Sequence, residues 1–227
     1  MVPNVAKIAG LIGDPVRAQM LFALLDGREL SASELAYRGG ASAQSASAHL
    51  AKLVDGGLVQ ARAVGRQRLF RFASDEIAHA IEALASIAPM VPVTSLTQQS
   101  AMQRLRRARS CYDHLAGQLG VRVTEALARM HALETAPHAF VVTSSGRKFF
   151  ADLGIDLAAA RATRRHFARQ CMDWTERRPH LAGALGAALL TRFFENDWVR
   201  NDKRDRSLRI TERGVHDLER IFGISVA

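Results

Sequence analysis

The stretch SAQSASAHLAKLVDGG, residues 42–57, continued by LVQARAVGRQRLFRF, residues 58–72, decides the architecture of the first third of the chain. In its first part Ala46, Leu50, Leu53 and Val54 share one face of a 3.6-residue repeat. Ser42 stands in the N-cap position and Gly56-Gly57 closes the run, so a helix is expected. Gln44, Ser45, Ser47, His49 and Lys52 fall off the apolar face. From Leu58 the period drops to two, with Phe70 and Phe72 on one side of a strand, Arg71 on the other, and a turn at Gly65-Arg66. Upstream, Ser31-Ala-Ser-Glu34 has capping-box spacing, and the short helix it opens stops at Gly39-Gly40. Farther upstream, Asp14-Pro15 begins a helix with the stripe Val16, Met20, Leu21, Leu24, Leu25. Downstream, Ile77, Ile81, Leu84 and Ala88 restore helical spacing as far as Pro89.

Helix, helix, helix, hairpin, helix is the order of a winged helix-turn-helix. The string His49-Leu-Ala-Lys-Leu-Val-Asp-Gly-Gly-Leu-Val59, followed by an Arg-rich hairpin, resembles the recognition helix and wing of ArsR-type bacterial repressors, over roughly residues 4–88. The resemblance implies double-stranded DNA as a partner. The helix from Ser42 would enter the major groove, where Gln44 and Ser45, flanked by Ser47 and His49, reach base edges and Lys52 reaches phosphate. Arg62, Arg66 and Arg68 of the wing would meet phosphate or the minor groove. Short polar side chains allow close approach to bases, and guanidinium groups supply sequence-independent attraction. A winged helix also serves as a protein-binding module, so that alternative stands. Metal-sensing members of the family carry cysteines in the helix before the recognition helix. Here Glu34–Arg38 offers no thiolate, and Asp75, His79 and Glu82 read as a solvated polar face.

The 227 residues are 48% apolar and 23% charged, a globular composition. No apolar run approaches the ~20 residues of a membrane span, and Met1–Gly13 lacks the basic start of a secretion signal. A cytoplasmic protein without a membrane partner is expected. The net charge of +9 points to an anionic partner, yet residues 1–100 carry 9 basic against 8 acidic side chains, so the excess lies beyond residue 100. No dinucleotide fingerprint, phosphate-binding loop, zinc-protease or serine-hydrolase motif occurs, and no enzyme is expected.

Residues 89–100, with Pro89 and Pro92, read as a linker between a DNA-binding domain, 1–88, and a second domain, 101–227. Beyond it Leu105, Ala108, Tyr112, Leu115 and Leu119 suggest one long amphipathic helix over 101–119. The segment His114-Leu-Ala-Gly-Gln-Leu-Gly120 recurs as His180-Leu-Ala-Gly-Ala-Leu-Gly186, and Thr143-Ser-Ser-Gly146 is echoed by Thr211-Glu-Arg-Gly214. Two copies of a helix-strand-helix unit, about 109–155 and 171–224, follow from matched landmarks in order. The second copy holds a further winged-helix-like hairpin, Trp198–Ile210, bearing Arg200, Lys203, Arg204, Arg206 and Arg209. Arg161, Arg164, Arg165 and Arg169 are placed on the helix before it. These cations either extend a DNA footprint or pair with nearby carboxylates. The fold class is therefore mainly α with small β-hairpins.

Chemistry concentrates around the only two cysteines. Cys111 and His114, three apart, would share a helix face, and with Cys171 and His180 they make a candidate set for a zinc-like metal, although nine residues and Pro179 separate the second pair. Arg109, Arg177 and Arg178 near these thiols suit a redox switch. A small organic effector is the plainest fit to a dedicated domain, with Tyr112 and Trp174 as flat walls and Arg177, Arg178 or His180 as anion anchor. The small residues Ala116, Gly117 and Gly120 equally suit close helix packing, with each histidine bonded inside the core. The resulting expectation is a ligand-responsive repressor acting as a homodimer. The helix from Asp14 and the stretches 74–88 and 101–119 are its expected dimer surfaces.

Overall fold

The computed structural model describes residues 2–93 and 95–226. It divides into two compact units, Met1–Leu84 and Ala85–Ala227.

In the first unit, α1 (Val5–Ile12) and α2 (Pro15–Leu24) are joined by a tight corner. Asp14 caps α2 by accepting from the Arg17 backbone N–H at 3.0 Å. The largely buried Arg17 guanidinium donates to the carbonyls of Leu11, at 2.6 Å, and Gly10, at 2.8 Å, satisfying the loose C-terminal end of α1. There follow β1 (Leu30–Ser31), α3 (Ala32–Gly39), α4 (Ala43–Asp55), β2 (Val59–Val64), β3 (Gln67–Phe72) and α5 (Asp75–Ile87). The capping box at α3 forms as expected: Ser31 Oγ accepts from the Glu34 N–H, and Glu34 accepts from the Ser31 N–H at 2.8 Å. Antiparallel register runs from Val59↔Phe72 to Val64↔Gln67, leaving Gly65-Arg66 as the turn, with Gly65 at φ +58°.

Two elements escape the sequence reading. Strand β1 adds to the far side of β3 by Leu30↔Phe70, and two residues are too few to show a period. Helix α1 carries apolar Val5, Ile8 and Ile12 at helical spacing yet buries none of its residues, and the sequence reading began its first helix only at Asp14. Two expectations are corrected. Met20, Leu21 and Leu24 of α2 are at most 1% exposed, so the stripe assigned to a dimer surface is used inside the protomer. Glu82, read as solvated, is buried.

In the second unit Ser95 caps α6 (Leu96–Arg107), so the last five residues of the expected linker are helical. The long helix over 101–119 does not form. Ala108 is extended, and the chain makes β4 (Arg109–Cys111) and β5 (His114–Ala116) before α7 (Gly117–Arg129). Gly117 has φ +73°, a conformation that interrupts a right-handed helix, and a Cβ there would lie 2.7 Å from the Arg106 carbonyl. The chain continues through β6 (Leu133–Ala136), β7 (Ala139–Val142), α8 (Ser144–Asp152) and α9 (Leu157–Ala162). It ends with β8 (Arg169–Met172), β9 (Pro179–Ala182), α10 (Gly183–Glu195), β10 (Val199–Asn201), β11 (Leu208–Ile210) and α11 (Glu212–Phe222). The order strand, strand, helix, strand, strand, helix thus occurs over 109–152 and again over 169–222. Of the four arginines placed on a helix before the second series, only Arg161 lies on one; Arg169 opens β8.

Strands β6, β7, β8 and β9 form one antiparallel sheet in that order, and the pairs β4–β5 and β10–β11 stand separately. The core gathers Leu119, Val123 and Leu127 of α7 with Leu185, Leu189 and Phe193 of α10, around Phe150, Trp198, Leu218 and Phe222. Each such side chain contributes roughly 1.5–3 kcal/mol on burial.

Candidate nucleic-acid interface and an interior Cys/His cluster

Helix α4 presents a polar row because its apolar positions are consumed by packing. Ala46, Leu50 and Leu53 are buried, while Ser42, Gln44, Ser47 and Lys52 are exposed and Ser45 is half-exposed. Ser42 Oγ accepts from the Ser45 N–H at 3.2 Å, so Ser42 fixes the helix start and offers less to a partner than Gln44 does. His49 leaves the reading row: its Nδ1 lies 3.5 Å from Asp14 Oδ1, at the start of α2. On the wing the three arginines differ. Arg62 is clamped by Glu29, with its Nη2 at 2.5 Å from Oε2. Arg66 stands exposed in the turn, and Arg68 is exposed with its guanidinium carbon 5.5 Å from the Phe70 ring centre. Among the described residues Arg66 and Arg68 are therefore the wing cations without a carboxylate partner. The signal sequence reading missed was Glu29, remote in sequence yet adjacent once β1 joins the sheet.

In the second unit Cys111, His114, Cys171 and His180 come together. They do so through two β-hairpins, not through a helix face. Cys111 pairs with His114 across β4–β5, with Tyr112-Asp113 as the turn and Tyr112 at φ +58°. Cys171 pairs with His180 across β8–β9, so the loop 173–178 accounts for the nine-residue spacing that had argued against a site. All four side chains are at most 5% exposed. One ligand atom from each lies within 4.8 Å of every other, and the two Nε2 atoms are 3.1 Å apart. The imidazoles are stacked with centroids 5.0 Å apart.

The repeated glycines make this approach possible. A Cβ on Gly120 would meet the Leu115 carbonyl at 2.4 Å and His180 Cβ at 3.8 Å. One on Gly186 would meet the Leu181 carbonyl at 2.6 Å and His114 Cβ at 3.2 Å. Each series thus uses its second glycine to receive the other's histidine. The small residues seat helices on hairpins, where sequence reading had helices packing on helices.

A carboxylate stands behind each histidine. Asp113 Oδ1 lies 3.4 Å from His114 Nδ1, and its other oxygen is 2.5 Å from Arg165 Nη1. Asp173 Oδ2 lies 3.7 Å from His180 Nδ1 and accepts from Arg109 Nη2 and from the Gly117 N–H, both at 2.7 Å. Its Oδ1 accepts from the N–H groups of Thr175 and Glu176 and from the Thr175 hydroxyl. Burial alone would raise the pKa of Asp173, but the Arg109 charge, the neighbouring His180 and these hydrogen bonds outweigh it and hold the carboxyl well below its ordinary value. Burial, then the adjoining His114, holds His180 well below the usual imidazole value. Hydrogen bonding to Cys171 and burial push the Cys111 thiol up to about 12, contrary to the activated thiolate that nearby arginines suggested.

Of the effector candidates, Cys111, His114, Cys171 and His180 come together in this cluster. Trp174 is covered by the Arg109 guanidinium, whose carbon is 4.6 Å from the ring centre, and Arg177 is exposed on the loop 173–178. Much of the C-terminal positive charge is neutralised locally: Arg200 by Asp197, Arg204 by Asp202 and Arg104 by Asp205, with Arg206 buried.

A polar-faced helix following a short helix, with an arginine-bearing hairpin behind it, defines a winged helix-turn-helix DNA-binding protein of the transcription-regulator class. A helix-turn-helix domain family matches residues 12–60. The HTH-type transcriptional regulator YdfF of Bacillus subtilis (strain 168) is 42% identical over 226 residues, covering 100% of both chains. The chain belongs to these HTH-type transcriptional regulators. Among solved structures, reduced HlyU from Vibrio cholerae N16961 is similar, at 31% identity over 38% of this chain and 90% of that one, with a TM-score of 0.35. A homodimeric winged helix-turn-helix fragment of a possible ArsR-family regulator from Mycobacterium bovis is 30% identical over 35% of this chain and 73% of its own, with a TM-score of 0.33. Among the described residues no helix is long and apolar enough to cross a membrane.

Proposed function

We propose that this chain is a ligand-responsive, cytoplasmic repressor that binds operator DNA as a homodimer and performs no catalysis. The observation that carries the reading is the exposed row Gln44, Ser45, Ser47 and Lys52 on α4 beside the uncommitted Arg66 and Arg68 of the wing. The short side chains reach base edges, the cations hold phosphate, and one such helix spans too few base pairs for an operator. A two-fold pair doubles the site, and the exposed apolar residues Val5 and Ile8 of α1 and Leu84 of α5 support a second protomer as partner. The second unit receives the signal. Its two element series are copies of one unit, and ligand binding between them alters the spacing of the paired recognition helices.

Fluorescence anisotropy with duplex DNA from upstream of the chain's own gene, against scrambled duplex at physiological salt, tests this. A preference of about a thousandfold is expected. Gln44→Ala relaxes base preference, whereas Arg66→Ala weakens binding to all sequences and flattens the salt dependence. Equal, weak, salt-sensitive binding to both duplexes overturns the reading and leaves the protein-binding alternative.

A further inference from the structure

We propose that Cys111, His114, Cys171 and His180 form a closed, four-coordinate site for one Zn2+-class divalent ion per chain, built half from each hairpin. The proposal rests on the regulator reading for its role and on the site's own chemistry for its existence.

Geometry comes first. An ion held at about 2.0–2.1 Å by nitrogen and about 2.3 Å by sulfur in a tetrahedron sets its ligand atoms about 3.3–3.8 Å apart. The four atoms here lie within 4.8 Å of one another, with the two nitrogens at 3.1 Å, so side-chain movements of up to about 1 Å complete the polyhedron.

Hydrogen-bond accounting comes second. The contact between the two Nε2 atoms takes a single proton. With both rings neutral, the ring that donates through Nε2 presents a bare Nδ1 to its own carboxylate, Asp113 or Asp173. An ion between the rings removes that conflict: both Nε2 lone pairs face the metal and both Nδ1–H groups face carboxylates. That is the arrangement by which aspartates orient ligating histidines. The buried Arg109 and the partly covered Arg165 fix those aspartates in turn.

Charge comes third. Two thiolates and a divalent ion sum to zero, which suits an interior from which water is excluded. Sulfur and imidazole donors select zinc-like ions over magnesium or calcium, which require oxygen. Four protein ligands leave no position for a reacting water, so the site is one for holding or sensing an ion and not for hydrolysis.

The test uses the full-length chain, chelator-stripped and kept reduced, titrated with Co2+. One equivalent should develop the visible bands of tetrahedral cobalt with a thiolate charge-transfer shoulder, and Zn2+ should displace it. X-ray absorption of the Zn2+-loaded wild type should count two sulfurs and two imidazole nitrogens, a readout that requires no variant to fold. Cys171→Ala should abolish tight binding. Asp113→Asn, at the less buried of the two carboxylates, should weaken Co2+ binding about 10–100-fold while leaving circular dichroism unchanged. Cobalt that stays octahedral or a sulfur count other than two overturns the site. Operator binding is then compared with and without Zn2+. If Zn2+ binds and DNA affinity does not move, the metal site stands and the sensing role falls. If the chain shows no operator preference, the regulator reading falls and the cobalt result is still decided on its own.

Discussion

The hairpins β4–β5 and β8–β9 place the same Cys–His pair in the same cross-strand register, yet they are stabilised differently. The first closes in two residues and backs its histidine with Asp113, whose side chain is 26% exposed and is paired with the equally accessible Arg165. The second closes through six residues and backs its histidine with Asp173, which is fully buried, ion-paired with the fully buried Arg109 and hydrogen-bonded to the backbone of its own loop and of α7. A long loop has more conformational entropy to lose, and the carboxylate that organises it replaces the order a tight turn supplies. Equivalent positions therefore carry unequal energetic weight.

The largest expected effect breaks that comparison where it is strongest. Arg109→Met strands a buried carboxylate and should cost about 3–5 kcal/mol, read by urea unfolding through tryptophan fluorescence, because Trp174 and Trp198 both lie in the second unit. Next, Gly120→Ala and Gly186→Ala each press a Cβ onto a carbonyl, at 2.4 and 2.6 Å before relaxation. Losses of about 1–3 kcal/mol are expected in the same assay; a marked inequality would show that the two helices are not seated alike. Asp113→Asn, despite its position matching that of Asp173, should cost about 1 kcal/mol or less. A loss as large as that of Arg109→Met would erase the distinction between the hairpins. Smallest of all, Arg177→Gly relieves a left-handed residue, φ +55°, in the longer loop. Glycine's entropy offsets the gain, for a net change within about 0.5 kcal/mol of wild type by the same unfolding curve.

These differences also explain what could be read from the chain. Helix α4 and the wing were legible because thirteen helical residues and two six-residue strands are long enough to display periods of 3.6 and 2, with Ser42 and Gly65 marking the ends. The capping box at Ser31 was legible for the same local reason. Strands of three or four residues, such as Arg109–Cys111 and His114–Ala116, display no period, and Leu105, Ala108, Leu115 and Leu119 mimic a continuous helical stripe across them. The four Cys/His residues were visible as a set, but their register was not, since it depends on loops of different length. The recurrence of His-Leu-Ala-Gly was the usable sign: a glycine at the same place twice, at φ +73° and +80°, marks two strand-to-helix corners. Glu29 and Asp173 were missed as organising carboxylates because their partners, Arg62 and Arg109, lie 33 and 64 residues away.

The reciprocal seating of Gly120 against His180 and Gly186 against His114 has one more consequence. A chain severed between α8 and β8 would yield two fragments, each with a polar ring lacking its cover and a glycine groove lacking its occupant. Neither would be a domain in its own right. They would behave as halves of an obligate pair that recover their fold by complementation, each completing the other's interior.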